Sequence, residues 1–199
     1  MNPFIAYKDI FDKYLHMETP ARLQAAWNEP HRKYHTVDHL ISVLKYIDKH
    51  RFNLPNDFYD ALVLAAFFHD CHYNPRSSMP GFNEDESIKK FLSSFKLKGN
   101  NYNIRNAVIA MIEATKHRRR PKELLIRLFW EADNEGFTKG YDELLKNEHL
   151  IRQEFNHFPN SVYRTNRIKF LKTNLGLFNS KVDEDIKHLM ATVEDIYKN

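Results

Sequence analysis

The sequence has few of the residues that interrupt regular structure. Its 199 residues include only 5 glycines and 8 prolines. A protein built from many short β-strands needs frequent turns rich in these two residues, so their scarcity argues against such a fold. Apolar residues recur instead at intervals of three and four, which is the spacing of a buried helical face. The sequence therefore predicts an all-α protein.

Cysteine and long apolar runs are also scarce. Cys71 is the only cysteine, so neither a disulfide within the chain nor a cysteine-based metal cluster can form. No segment approaches the roughly 18 uninterrupted apolar residues that a membrane-spanning helix needs. The first turns mix acidic and basic side chains, unlike a signal peptide or membrane anchor. These absences predict a cytoplasmic protein that does not associate with membranes.

The charge is nearly balanced, with 30 basic and 26 acidic side chains and a formal net charge of +4 when histidines are neutral. This mild excess favours anionic ligands but is not a nucleic-acid signature, so nucleic acid is not an expected partner. The length fits one domain of roughly 100–200 residues. We expect a single domain over residues 1–199, and the sequence does not indicate its oligomeric state.

Two of the 11 histidines are predicted to face the interior. Thr36 is a suitable helix N-cap, and His39 lies on the apolar face of the helix that follows. The segment 57–70 is apolar almost throughout, which is typical of a central helix, and it ends in the adjacent pair His69 and Asp70. An imidazole and a carboxylate at such a position are costly unless a partner satisfies both.

Asp133 lies on the inner face of a later predicted helix, one turn beyond Phe129. With His39, His69 and Asp70 it completes a set that a divalent cation would satisfy. Mixed imidazole and carboxylate ligands suit Mn, Fe, Co, Ni or Zn better than Ca, and they leave coordination positions for water and substrate. Taken alone, each of the four also fits an ordinary core or capping residue. Only their combination predicts a metal site.

The spaced H…HD…D pattern resembles the signature of the HD-domain superfamily of metal-dependent phosphohydrolases. Six segments, in order, are similar to the motif series of a subgroup of predicted HD phosphohydrolases that contains a YHT element: RKYHTVDHL, AAFFHDCHY, NEDES, IEATKH, FWEADNEGF and IRQEF. Together they extend over residues 29–170, most of the chain.

This resemblance implies an HD-domain-like helical bundle, followed by C-terminal packing helices over residues 171–199. It also implies that His39, His69, Asp70 and Asp133 are the metal ligands, with one divalent ion per chain (Mn, Fe, Co, Ni, Zn or Mg). The chain departs from the subgroup around Asp133, because it reads Glu-Ala-Asp-Asn where the subgroup usually reads Asp-Ala-Asp-Leu. The ligand Asp133 is therefore kept, whereas Asn134 replaces the usual leucine and is expected to change the packing just after the ligand.

Three residues are candidates for catalysis. Asp70 is able both to ligate the metal and to position water. His35 is either a partner of the metal site or a substrate contact, or simply the residue before the Thr36 cap. Glu84, in the polar loop expected after the HD pair, either orients the attacking water as a general base or is a solvated acid.

Three further residues are candidates for substrate binding. Arg32 adjoins the metal-bearing segment and matches an arginine that precedes YHT in the family, so we expect it to contact phosphate. His117 either binds a phosphate oxygen or a second metal, or is an exposed histidine at a helix end. Tyr73 is expected to line the pocket. The run Arg118 to Arg120 fits an anion contact, but a charge run of this kind is more often a solvated turn.

The resulting prediction is hydrolysis of a phosphate ester or anhydride of a small, nucleotide-like substrate. A di-iron oxygenase on the same scaffold is an alternative, but it needs extra histidines between the HD pair and the last aspartate. Only His72 and His117 occur there. A helical module that binds nucleic acid or protein is a third reading, and it leaves the buried His and Asp set unexplained.

Overall fold

A computed structural model describes residues 2–99, 101–117 and 119–198. These residues form eleven α-helices, two 3-10 helices and no β-strand, so the all-α class predicted from the sequence is confirmed. In chain order the α-helices are α1 (Pro3–Ala6), α2 (Lys8–Tyr14), α3 (Thr19–Trp27), α4 (Val37–Lys49), α5 (Asn56–Phe68), α6 (Phe82–Ser94), α7 (Tyr102–Thr115), α8 (Leu124–Asp133), α9 (Tyr141–Glu154), α10 (Asn160–Lys172) and α11 (Ser180–Ile196); the 3-10 helices span Arg51–Asn53 and Glu135–Thr138.

Helix α5 lies at the centre of the larger hydrophobic core. Its residues from Tyr59 to Phe68 are all buried, and it packs against α4, α6, α7 and α8. Neighbours on so many sides explain why this helix lacks a polar face. It begins directly after Pro55 and has no side-chain cap. It ends at Phe68, which leaves His69 and Asp70 just beyond its last turn.

Helix α4 begins where the sequence predicts. Thr36 Oγ1 accepts a hydrogen bond of 3.3 Å from the backbone N–H of Asp38. This cap fixes the first turn of α4, and that turn carries His39.

Pro20 lies in the first turn of α3, where its missing N–H costs nothing. The loop after the HD pair is shorter than expected, because α6 begins directly after Gly81, which has a φ of +73° that favours glycine. Glu84 therefore lies in the first turn of a helix and not in a loop.

Helices α9, α10 and α11 pack against one another around a second, smaller hydrophobic cluster. Its buried members are Leu144, Tyr163, Leu171, Val182, Ile186, Leu189, Val193 and Tyr197. This second cluster begins with α9, well before the boundary at 171 that the sequence suggested. The 3-10 helix Glu135–Thr138 contacts α4, α8, α9 and α11, and so joins the two packing units.

Among the described residues, no helix combines the length and the apolar character needed to cross a bilayer.

Candidate functional site

Four side chains predicted as metal ligands converge at the ends of three helices. His39 comes from the first turn of α4, His69 and Asp70 directly follow α5, and Asp133 is the last residue of α8. The Nε2 atoms of the two histidines are 3.3 Å apart. Asp133 Oδ1 lies 3.3 Å from each Nε2. Asp70 Oδ2 lies 3.2 Å from Nε2 of His69 and 3.9 Å from Nε2 of His39.

These separations suit ligands of a single ion. Two atoms about 2.1 Å from one transition metal lie roughly 3.0–3.5 Å apart at octahedral to tetrahedral angles. The ligand atoms of His39, His69 and Asp70 all lie within 4.8 Å of one another, and Asp133 adds a second carboxylate beside both imidazoles. The donor set therefore fits a divalent transition metal, although a small inward movement of Asp70 would be needed to tighten it.

A backbone hydrogen bond fixes the proton on the His69 ring. Its Nδ1 lies 2.9 Å from the carbonyl oxygen of Ala66. A carbonyl only accepts, so Nδ1 carries a hydrogen, and Nε2 is the ring nitrogen that faces the two aspartates and would ligate a metal. The side chain is 1% exposed, which leaves the ring little freedom to turn.

The cluster keeps its carboxylates ionised. Burial by itself raises the pKa of Asp70, but the adjacent His69 outweighs burial and holds that pKa well below its usual range. The pKa of Asp133 is lowered in the same way against its burial, through hydrogen bonds from His39 and His69. Burial lowers the pKa of His69, yet the two aspartates raise it overall. Two partly buried carboxylates that stay charged attract a cation.

Glu154, at the end of α9, anchors the YHT segment. Its side chain is fully buried. Its Oε1 accepts hydrogen bonds of 2.8, 2.8 and 2.9 Å from the backbone N–H groups of Lys33, Tyr34 and His35. Its Oε2 accepts one of 2.7 Å from the hydroxyl of Tyr73 and lies 2.7 Å from Nδ1 of His35. Burial opposes ionisation, but these donors lower the pKa of Glu154 to about 2.

This network sets the protonation of His35. Because Nδ1 donates to Glu154, Nε2 is the ring nitrogen available to a ligand. Burial lowers the pKa of His35, and the Glu154 carboxylate more than compensates, so the pKa is raised. The imidazole lines the same cavity as the four metal-ligand candidates. His35 is thus held as a proton donor beside them.

A cavity of about 420 Å³ opens from the His and Asp cluster towards the C-terminal helices. Its wall near the cluster is polar and includes Tyr73, Glu84 and Thr115. Its far wall comes from the second cluster and is mainly aromatic; it includes Phe137, Phe155, Phe158, Tyr163 and Phe170. The volume falls within the roughly 300–1,000 Å³ range of small-molecule sites.

Comparison of the chain with models of protein families, with curated proteins and with solved structures found no match. The resemblance to the HD superfamily therefore rests on the motif series alone.

Arg32 does not line the cavity, which argues against the phosphate contact expected from the sequence. Its side chain is fully buried, with Nε donating to Oε2 of Glu29 at 3.0 Å. Its Nη1 donates to the backbone carbonyl oxygens of Asp70 (2.8 Å) and His35 (3.2 Å). Arg32 therefore holds the backbone of two site residues, His35 and Asp70.

His117 is exposed beyond the end of α7 and is not part of the cavity wall, whereas Thr115 is. Of the basic run after it, Arg118 lies outside the described residues, and Arg120 is paired with Glu131. Among the described residues of this region, His117, Arg119 and Arg120 do not line the cavity. Glu84 and Tyr73 do line the cavity, as a role at the site requires.

Two residues of the site, Glu154 and Arg167, were not predicted from the sequence. Glu154 lies in the IRQEF segment used for the family resemblance, but one acid at a helix end carries no local signal of its partners. Arg167, on α10, lines the far wall of the cavity. Nothing in the sequence separates it from the other 29 of the 30 basic residues. Only the packing of α9 and α10 brings these two residues to the site.

Proposed function

We propose that the protein is a metal-dependent phosphohydrolase that cleaves a phosphate ester or anhydride of a small, nucleotide-like substrate. The observation that carries this proposal is the convergence of His39, His69, Asp70 and Asp133 at one end of a cavity large enough for such a molecule. A bare binding pocket has no need of two ionised carboxylates packed against two imidazoles, since burying such groups is costly.

One divalent metal (Mn, Fe, Co, Ni, Zn or Mg) would be held by these four side chains. When bound, such an ion polarises a phosphoryl oxygen and lowers the pKa of a water molecule towards neutrality. The buried setting and the hydrogen bond from His69 to Ala66 keep the ligand atoms in place for it.

The remaining site residues would handle protons and charge. Attack of water on phosphorus breaks the bond to the leaving oxygen, which then needs a proton. His35 is fixed by Glu154, which also raises its pKa, and it would give that proton from Nε2 as a general acid. Asp70, and Glu84 on the cavity wall near the cluster, would supply carboxylate oxygens that accept a hydrogen bond from the attacking water.

The proposal is tested by elemental analysis of the dialysed protein, followed by a screen of phosphate esters with added Mn, Mg, Co, Ni and Zn. We expect one tightly bound ion per chain and metal-dependent release of phosphate. Asp133→Asn should lose both, whereas Asp142→Asn, a matched change at an exposed position in the first turn of α9, should keep both.

Two results would contradict this function: a wild-type protein that binds no metal and cleaves no ester, and a fully active Asp133→Asn. Two iron ions per chain would point instead to the di-iron oxygenase. Binding to nucleic acid that weakens steeply with salt, without metal or hydrolysis, would point to the binding module.

A further inference from the structure

The far wall of the cavity contains a second set of polar groups that the proposed hydrolysis does not use. Arg167 donates from Nε to Oε2 of Glu148 at 2.6 Å. Glu148 is completely buried, and its Oε1 accepts a hydrogen bond of 2.7 Å from the hydroxyl of Tyr163. One buried carboxylate thus orients both Arg167 and Tyr163 at the cavity wall.

The guanidinium of Arg167 is only partly satisfied. Its side chain is 11% exposed. Within the described part of the chain, its two terminal nitrogens form no hydrogen bond. Because Arg167 lines the cavity, these nitrogens can donate hydrogen bonds to a ligand bound there.

The surroundings indicate what kind of ligand fits. Glu148 offsets the charge of Arg167, so the pair is neutral overall and has little attraction for a second anion. The guanidinium lies 4.8 Å from the ring centroid of Phe170, and Phe155, Phe158 and Tyr163 complete an aromatic wall. A flat ring that stacks there is stabilised by these contacts.

The geometry of the guanidinium narrows the choice further. With Nε engaged by Glu148, the two terminal nitrogens remain as a planar fork of N–H donors. Such a fork pairs best with two neighbouring acceptors on one edge, as arginine does with O6 and N7 of guanine. A ring whose edge offers one donor and one acceptor, such as adenine, pairs less well.

We propose that Arg167, held by Glu148, forms a recognition subsite for the non-reacting end of the substrate, which is a flat aromatic ring with two adjacent hydrogen-bond acceptors on one edge. The subsite rests on the proposed function, because the ring would belong to the alcohol part of the phosphate ester that is cleaved. Binding of the ring itself does not require hydrolysis, so the two proposals can fail separately.

The test is calorimetric titration of the wild-type protein with guanosine, adenosine, ribose and succinate. We expect guanosine to bind about tenfold or more tightly than adenosine, with ribose and succinate weaker still. Arg167→Lys keeps a positive charge beside Glu148 but lacks the planar fork. It should weaken guanosine about tenfold and leave adenosine nearly unchanged.

Arg164→Lys is the matched control, because Arg164 lies on the same helix, donates to the backbone carbonyl of Tyr197 and does not line the cavity. It should bind guanosine like the wild type. Circular dichroism of both variants checks folding, and the comparison of guanosine with adenosine on the wild type needs no variant.

Equal affinity of the wild type for guanosine and adenosine would overturn the subsite, and so would guanosine binding that is unchanged in Arg167→Lys. Tight succinate binding that is lost in Arg167→Lys would show an anion site instead. A wild type that binds guanosine but cleaves no ester would sink only the hydrolase proposal. A wild type that cleaves guanosine monophosphate and ribose 5-phosphate with the same KM would sink only the subsite.

Discussion

The imidazole Nδ1 of His35 lies 2.7 Å from Oε2 of Glu154, although 119 positions separate the two residues in the chain. His35 belongs to the segment that leads into α4, in the larger core, and Glu154 ends α9, in the smaller cluster. The same carboxylate also receives three backbone N–H groups of the YHT segment. One buried side chain thus joins the two packing units directly beside the candidate site.

Replacement of Glu154 by glutamine should damage both stability and activity. The amide keeps the size but puts an N–H₂ where a carboxylate oxygen now accepts two or three hydrogen bonds, so buried donors lose their partner. We expect the free energy of unfolding to fall by about 2–4 kcal/mol and kcat for phosphate release to fall by roughly 10²-fold. Urea unfolding and steady-state kinetics measure the two effects.

Glu143→Gln is the control for this change, since Glu143 lies on the same helix in an exposed ion pair with Lys146. It should shift stability by no more than about 0.5 kcal/mol. Wild-type stability and rate in Glu154→Gln would show that the network is dispensable.

Arg32→Met should act through stability and not through substrate affinity. The change removes a buried guanidinium and leaves two carbonyl oxygens and Glu29 without their donor. We expect a loss of about 3 kcal/mol in unfolding free energy and weaker metal retention, because the backbone of Asp70 is no longer held. Lys33→Met, at the exposed neighbour, is the matched control. A raised KM with unchanged stability and metal content would restore the phosphate contact expected from the sequence.

Removal of metal should lower the melting temperature. An ion present at 100 times its Kd stabilises the folded state by about 2.7 kcal/mol, and in a chain of this size that corresponds to roughly 5–10 °C. Scanning calorimetry with and without a chelator measures the shift. Asp133→Asn should show no metal-dependent shift, and Asp142→Asn should show the full one. A shift of equal size in both variants would place the ion elsewhere.

The free energy of unfolding should fall in acid, partly because Glu154 becomes protonated. Its pKa is about 2 in the folded protein against an ordinary value of 4.5, so the folded state binds the proton less tightly. The resulting stabilisation, about 3 kcal/mol, is complete above pH 4.5 or so and is lost as the pH falls towards 2. Urea unfolding from pH 6 to pH 3 should show the stability gap between the wild type and Glu154→Gln narrowing below about pH 4.5. A gap that stays constant with pH would show that the carboxylate gains nothing from ionisation.

The sequence by itself determined the all-α class and the four candidate metal ligands. Apolar spacing reports which side of a helix is buried, and His39, His69, Asp70 and Asp133 all lie on or directly after helices whose buried faces are plain in the sequence. Local periodicity was therefore enough to place each of them at the interior, and the Thr36 cap added the start of α4.

Only the tertiary structure decided the roles of Glu154, Arg32 and Arg167. Each of these side chains is defined by the groups it meets, and most of those groups come from other segments of the chain. Glu154 reaches the YHT segment, and Arg167 reaches the cavity, only because α9 and α10 pack across the end of the larger core. Arg32 looks like a free cation in the sequence, yet it is buried against the carbonyl of Asp70, 38 positions away. No local pattern encodes such contacts, since they depend on how whole helices pack and not on the spacing of residues within one.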